Sequence, residues 1–304
     1  MGILKTTNLF KIFFLLLFLI LVFIYPGDVE AAKLYLKLNQ DEYGVGDTFL
    51  AEIRLDTEGE YINAVEVNLE FPQDLLEVKD FSTGNSILTL WIKEPVFSNR
   101  DGTVSFSGGT PGGYQGIKDA LGRIAFKVKK TGNARINFGE SQVLLNDGFG
   151  TPAFLTSQGV VLRLLDFESG ETEDEWIDLV EQDHIIPESF KVELSQESSV
   201  FEKKYFIIFS TTDKQSGIDY YEVTEQNLIE RFLKKETWHK ATSPYLLKDQ
   251  DLESLIKVKA IDKSGNYRVE VLKPEFKISI LDVVWILLII LAIGIIFWLI
   301  KKRK

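Results

Sequence analysis

The 304-residue sequence predicts an all-β protein, two β-sandwiches in series, set between an apolar leader and an apolar C-terminal run. Three observations predict it. Short runs of alternating apolar and polar residues fill the interior of the chain, where a helical 3.6-residue period is hard to find. Clusters of Gly, Asn and Asp separate those runs as tight turns do. About 250 residues lie between the apolar ends, enough for two cores of ordinary size. The chain has no cysteine, so these cores must hold by apolar packing, without disulfides or thiolate metal sites.

At the N-terminus, Lys5 and Lys11 precede an apolar block from Ile12 to Tyr25, then Pro26-Gly27 and the small residues Val29 and Ala31. This predicts a signal peptide over 1–31 with cleavage after Ala31, the apolar block being short for a bilayer span. At the other end, Val283 to Ile300 is uninterrupted apolar sequence with Trp285 and Trp298 near its limits, followed by Lys301-Lys302-Arg303-Lys304. That pattern predicts a single-pass transmembrane helix over 281–300 in the cell membrane. The basic tail 301–304 is then cytoplasmic and the N-terminal region extracellular. Setting aside the six cations of the two ends, and Asp28, Glu30 and Asp282, leaves 28 basic against 42 acidic residues, a net charge near −14. Such a surface repels phosphate backbones, so no nucleic acid partner is expected.

The first sandwich is expected over 32–165. Leu34, Leu36 and Leu38 alternate with polar residues, Tyr43 to Asp47 forms a turn, and Phe49, Ala51, Ile53 and Leu55 alternate again. The clearest strand holds Val65, Val67, Leu69 and Phe71 on one face and Ala64, Glu66, Asn68 and Glu70 on the other. Further strands are expected around Val104 and Phe106, Ile124 to Val128, Ile136 and Phe138, and Val160 to Leu164. Turns fall at Asn99-Arg-Asp-Gly102, Thr131-Gly-Asn133 and Asn146-Asp-Gly148. Gly108-Gly109-Thr110-Pro-Gly-Gly113 reads as a rim loop joining two strands, not a phosphate cradle, because no helix follows it.

The order of these pieces resembles a cohesin domain. Tyr43-Gly-Val-Gly-Asp47 is similar to the family's "VGD" segment, and Ile62 to Val78 aligns without a gap to the stretch ending in "YDPnvLev". Asp101 to Ser107, Gly122 to Lys129 and Val143 to Gly148 resemble three later strands in the right order. Pro72-Gln73 departs from the family's Asp-Pro, and Ala64 replaces a frequent Asn. The resemblance implies a jelly-roll sandwich that binds a dockerin-like module through one sheet face. The implied contacts are Glu66, Asn68 and Glu70, joined by Thr103, Ser105 and Ser107 if their strand lies alongside.

From Asp166 to Asp183 there are nine carboxylates and no cation, which predicts an extended acidic linker over 166–183. Trp176, Ile177 and Val180 offer a single helical turn within it. A second β-rich block over 184–277 carries strands near Phe190 to Leu194, Tyr205 to Phe209, Tyr220 to Val223, Ile256 to Ile261 and Tyr267 to Val271. Leu228 to Glu236 is a helical, charge-rich insertion. Asp213 to Val223, Trp238 before Ser243 to Leu247, and Ile256 to Asn266 resemble bacterial surface domains of the immunoglobulin-like (Ig-like) or fibronectin-III-like class.

Catalytic chemistry has little to work with. His184 and His239 are the only histidines, and no nucleophile elbow, P-loop or His-Glu-x-x-His motif occurs. The protein is not expected to be an enzyme. Asp213-Lys-Gln-Ser-Gly217 and Asp262-Lys-Ser-Gly-Asn266 space oxygen ligands alternately, but tight turns need the same residues, so no cofactor or metal is predicted. A polysaccharide ligand is the alternative to a protein module, with Trp91, Tyr61, Tyr114 and Phe149 as the rings for stacking; three exposed coplanar rings would favour it. A purely structural adhesin or spacer is the third reading.

Overall fold

The computed structural model describes residues 31–166, 172–274 and 280–302. The expected signal peptide, apart from Ala31, lies outside the described residues, as do Glu168 and Glu171 of the acidic stretch and the tail residues Arg303 and Lys304. The chain divides into two compact units, one formed by Met1–Ile185 with Thr212–Gly217 and the other by Ile186–Thr211 with Ile218–Lys304.

Among the described residues the first unit has twelve strands: β1 (Ala32–Lys37), β2 (Glu42–Gly44), β3 (Thr48–Asp56), β4 (Ile62–Glu70), β5 (Leu76–Ser82), β6 (Leu90–Ser98), β7 (Thr103–Tyr114), β8 (Asp119–Val128), β9 (Gly132–Phe138), β10 (Gln142–Leu145), β11 (Leu155–Gln158) and β12 (Val160–Leu165). They form a five-stranded sheet in the order β11-β1-β3-β8-β5 and a seven-stranded sheet in the order β2-β12-β9-β4-β7-β6, with β10 also on β4. One apolar cluster fills the space between the sheets. Leu34, Phe49, Ile53, Ile124 and Phe126 come from the first sheet, and Val65, Val67, Leu69, Val104, Phe106 and Ile136 from the second. Phe81 and Phe106 meet edge to face across it at 5.3 Å, and Phe71 meets Phe126 at 5.2 Å. The alternating residues of each strand thus supply one buried face, as the pleat requires.

Two expectations need correction. The glycine-rich stretch is not a loop joining strands: β7 runs straight through it, and Gly108 and Gly109 pair with both neighbours. A side chain at Gly108 would meet the Leu90 carbonyl at 2.8 Å and one at Gly109 the Asn63 carbonyl at 2.8 Å, so glycine here admits two close backbones. The described part of the acidic stretch is also not an extended spacer. It forms helix α1 (Glu175–Glu181), capped by Asp174, whose carboxylate accepts from the amides of Trp176 and Ile177. Glu175 anchors it on β3, its Oε2 accepting from the Leu50 amide at 2.7 Å.

The second unit contains β13 (Glu193–Ser195), β14 (Phe206–Ile208), β15 (Ile218–Gln226), β16 (His239–Ala241), β17 (Tyr245–Leu246), β18 (Leu255–Asp262) and β19 (Tyr267–Leu272). A three-stranded sheet, β13-β14-β17, and a four-stranded sheet, β16-β15-β18-β19, share a core of Ile207, Phe209, Val223, Leu247, Ile256 and Val258. The charge-rich insertion contains α2 (Leu228–Phe232), which opens on a capping box between Asn227 and Glu230.

The backbone over Ile280–Lys302 is helical and forms α3. The single-pass membrane placement, with an extracellular N-terminal region and a cytoplasmic tail, is nevertheless overturned: among the described residues no helix is long and apolar enough to cross a membrane.

Phe106 sits where both sheets press on the core. Phe106→Ala is expected to cost about 3–5 kcal/mol of unfolding free energy in urea denaturation of the full chain, and a loss under about 1 kcal/mol would show that the core closes elsewhere. Tyr43 stacks on Phe49 at 4.3 Å, and burial is the main cause that pushes its phenol up to about 12. The folded state holds that proton more tightly than the unfolded chain, whose phenol titrates near 10. This contribution to stability is therefore full below about pH 10 and is lost as the pH rises toward 12. Tyr43→Phe should flatten the fall of the urea midpoint over that window; an unchanged slope would contradict the assignment.

Candidate functional site: a polar sheet face

The inward residues of β4, Val65, Val67 and Leu69, are buried, so Glu66, Asn68 and Glu70 point away from the core. β7 pairs with β4 in antiparallel register, Glu66 opposite Ser107, Asn68 opposite Ser105 and Glu70 opposite Thr103. All six residues singled out in the sequence thus share one face in three cross-strand rows. The strands flanking this pair lengthen the rows. On one side β6 places Lys93 opposite Ser107, Val96 opposite Ser105 and Ser98 opposite Thr103. On the other, Gln142 of β10 lies opposite Glu66 and Asn137 of β9 opposite Glu70.

Glu66, Glu70 and Thr103 are exposed, while Asn68, Ser105 and Ser107 are half-buried. The Lys93 ammonium donates to the Ser105 hydroxyl at 2.9 Å. Asn68 donates its side-chain amide to the Glu140 carbonyl and its backbone N–H to Ser141 Oγ at 3.1 Å, which ties the β9–β10 turn to the middle of the face. The face is therefore acidic at Glu66 and Glu70, hydroxyl-rich between them, with one cation and the exposed Val96 along its β6 edge. It is an open surface suited to a partner with basic and hydroxyl groups.

Lys93, Val96 and Ser98 were not foreseen, because β6 shifts register twice, between Trp91 and Lys93 and between Lys93 and Val96. Those irregularities, with Pro95 inside the strand, erase the period-2 pattern that would have placed them. Of the rings considered for sugar stacking, Trp91 is half-buried and packs edge to face on Phe106 at 5.7 Å. The Tyr114 hydroxyl donates to Asp119, and burial, then that bond, pushes its phenol up. Tyr61 and Phe149 remain exposed. His184 and His239 are both exposed.

No known protein-family profile matches the chain. No curated protein matches it either. Among solved structures, the chain is similar to a type I cohesin–dockerin complex from Clostridium thermocellum, at 14% identity and a TM-score of 0.38, over 45% of this chain and 95% of that one. It is also similar to a non-cellulosomal cohesin from the archaeon Archaeoglobus fulgidus, at 13% identity and a TM-score of 0.37, over 45% of this chain and 94% of that one. The seventh ScaB type I cohesin from Pseudobacteroides cellulosolvens gives 17% identity and a TM-score of 0.39, over 47% of this chain and 97% of that one.

The turn that delivers Thr103 to the face is Asn99 to Gly102. Ser98 and Arg100 hydrogen-bond the Asp101 carboxylate and hold it below the usual range. Gly102 has φ +67°, and a Cβ there would meet the Phe71 carbonyl oxygen at 2.3 Å. Gly102→Ala is expected to cost roughly 1–3 kcal/mol, measured by urea denaturation, and to raise amide exchange at Thr103 and Ser105. Wild-type exchange in a destabilised variant would show that the turn does not position the row.

Proposed function

We propose that the β4/β7 face of the first unit recognises a protein module of the dockerin type, as the chain's resemblance to cohesins implies. One observation carries this reading: two separate stretches, Glu66 to Glu70 and Thr103 to Ser107, come together in register so that six polar side chains form continuous rows. Polar side chains spread in rows over two paired strands suit a folded partner more than a small substrate. The carboxylates supply orientation and encounter rate, and the hydroxyl row supplies hydrogen bonds that a complementary helix or loop satisfies. The second unit, in this reading, is an Ig-like domain that acts as a spacer. Its division into three and four strands around a single core supports that proposal, since seven strands in two sheets is the simplest immunoglobulin-type arrangement.

The test is calorimetric titration of the full chain with a panel of recombinant dockerin modules. The wild-type chain is expected to bind at least one of them, and Glu66→Lys with Glu70→Lys to weaken that binding roughly 100-fold or more. Equal affinity in the double variant would exclude this face. Failure of the whole panel, together with retardation of the chain in gels containing polysaccharide, would replace the protein partner with a glycan.

A further inference from the structure

The segment Thr212–Gly217 belongs to the first unit. It lies on β5 and β8: Ser82 Oγ donates to the Ser216 carbonyl at 2.7 Å, the Asn85 amide to the Asp213 carbonyl at 2.9 Å, and Arg123 Nη1 to the Gln215 carbonyl at 3.2 Å. The acidic segment reaches the same place, and Asp183 Oδ2 accepts from the Ser216 amide at 2.9 Å. Asp183 is 2% exposed, Asp213 1% and Ser216 0%.

The turn needs only part of this chemistry. Asp213 Oδ1 accepts from the amides of Gln215 at 2.8 Å and Gly217 at 3.0 Å, which accounts for an aspartate at this position. Asp213 Oδ2 takes no part in the turn; among the described residues, neither it nor Ser216 Oγ has a hydrogen-bond partner, and both atoms are buried. A carboxylate oxygen of Asp183 and one of Asp213 also lie within 4.8 Å of each other. Arg123, which reaches the loop, commits its Nη1 to the Gln215 carbonyl and its Nε to Glu52. Two carboxylates taken out of water side by side are unfavourable unless a positive charge joins them.

We propose that Asp183, Asp213 and Ser216 hold a divalent cation, calcium in the first place. The distance fits: two oxygens each about 2.4 Å from one ion lie at most about 4.8 Å apart. The donor set fits as well, being two carboxylates and a hydroxyl with no nitrogen or sulfur, which suits a hard cation over zinc or copper. Main-chain carbonyls or water complete the shell. The ion joins the end of the acidic segment to a loop thirty positions further along the chain and neutralises the charge that brings them into conflict. This proposal does not rest on the partner reading above, and none of its readouts involves a partner.

The full chain, stripped with EDTA and dialysed, is titrated with CaCl2 by calorimetry and by thermal unfolding, with MgCl2 in parallel. One calcium per chain and a rise of several degrees in Tm are expected. Asp213→Asn keeps an acceptor for the turn amides and loses half of the anionic pair, so it should match or exceed wild-type stability in EDTA and lose the response to calcium. Should that variant fail to fold, Asp183→Asn and Ser216→Ala are read in the same way. Asp147→Asn, in an exposed turn of the first unit, should respond as wild type does. No heat and no Tm shift up to about 10 mM CaCl2, or an undiminished response in the folded site variants, overturns the site.

Discussion

The pleat of β4 is the constraint on which the rest of the first unit depends. Val65, Val67 and Leu69 are 2%, 0% and 1% exposed and sit between two sheets. Each such side chain contributes about 1.5–3 kcal/mol by leaving water. A slip of one residue would expose all three and drive Glu66 and Glu70 into the core, where an unpaired carboxylate is far more costly than a lost methyl group. The register is therefore held by packing, and the polar face follows from it. β7 obeys the same rule through Val104 and Phe106, so Thr103, Ser105 and Ser107 have nowhere to point but outward. The candidate site is the solvent side of the core's own geometry.

The two sheets of this unit treat their outer faces differently. On the five-stranded sheet, Glu52 of β3, Arg123 of β8 and Ser82 of β5 lie side by side in register. Glu52 pairs with Arg54 at 2.6 Å and with Arg123 at 3.2 Å, and Ser82 and Arg123 then hold the segment Thr212–Gly217 by its carbonyls. Helix α1 occupies β3 nearby through Glu175. The chain itself covers part of that outer face. The β4/β7 face keeps Glu66, Glu70 and Thr103 in solvent, with Lys93 bonded only to a neighbouring serine among the contacts that the described residues give it. A polar face left open while its counterpart is partly occupied by the chain is the better surface for a second molecule.

What the sequence makes legible follows from how far each pattern reaches. β4, β3 and β8 are readable because both faces of their pleat are spelled out in consecutive residues, and Asn99 to Gly102 is readable because its turn is local. β6 and the glycine run of β7 are not. Their conformation is set by partners distant in sequence: bulges that only pairing with β7 defines, and glycines whose use is to let Leu90 and Asn63 come close. The acidic stretch misleads for a related reason. Repulsion among its carboxylates favours extension, yet Asp174 caps a helix and Glu175 finds the Leu50 amide, contacts with no trace in composition. The pairing of β4 with β7 was conditional in the sequence, since alternation places a side chain on a face but does not say which strand is its neighbour.

Acidity of the whole chain does not by itself account for the carboxylates in its interior. With a formal net charge of −11, most acidic groups are placed in water, where repulsion is screened over about 8–10 Å. Asp183 and Asp213 are not so placed, and screening does little for groups that solvent cannot reach. A turn explains one oxygen of Asp213, and Asp183 accepts from the Ile185 amide at Oδ1 and the Ser216 amide at Oδ2; asparagine would serve the Asp213 turn about as well, since the amides need only an acceptor. The Oδ2 atom of Asp213 is then buried without a hydrogen bond among the described residues, which is costly for a carboxylate. The proposed cation gives that oxygen a partner, and nothing local in the sequence reveals this because the two aspartates are separated by β13 and β14.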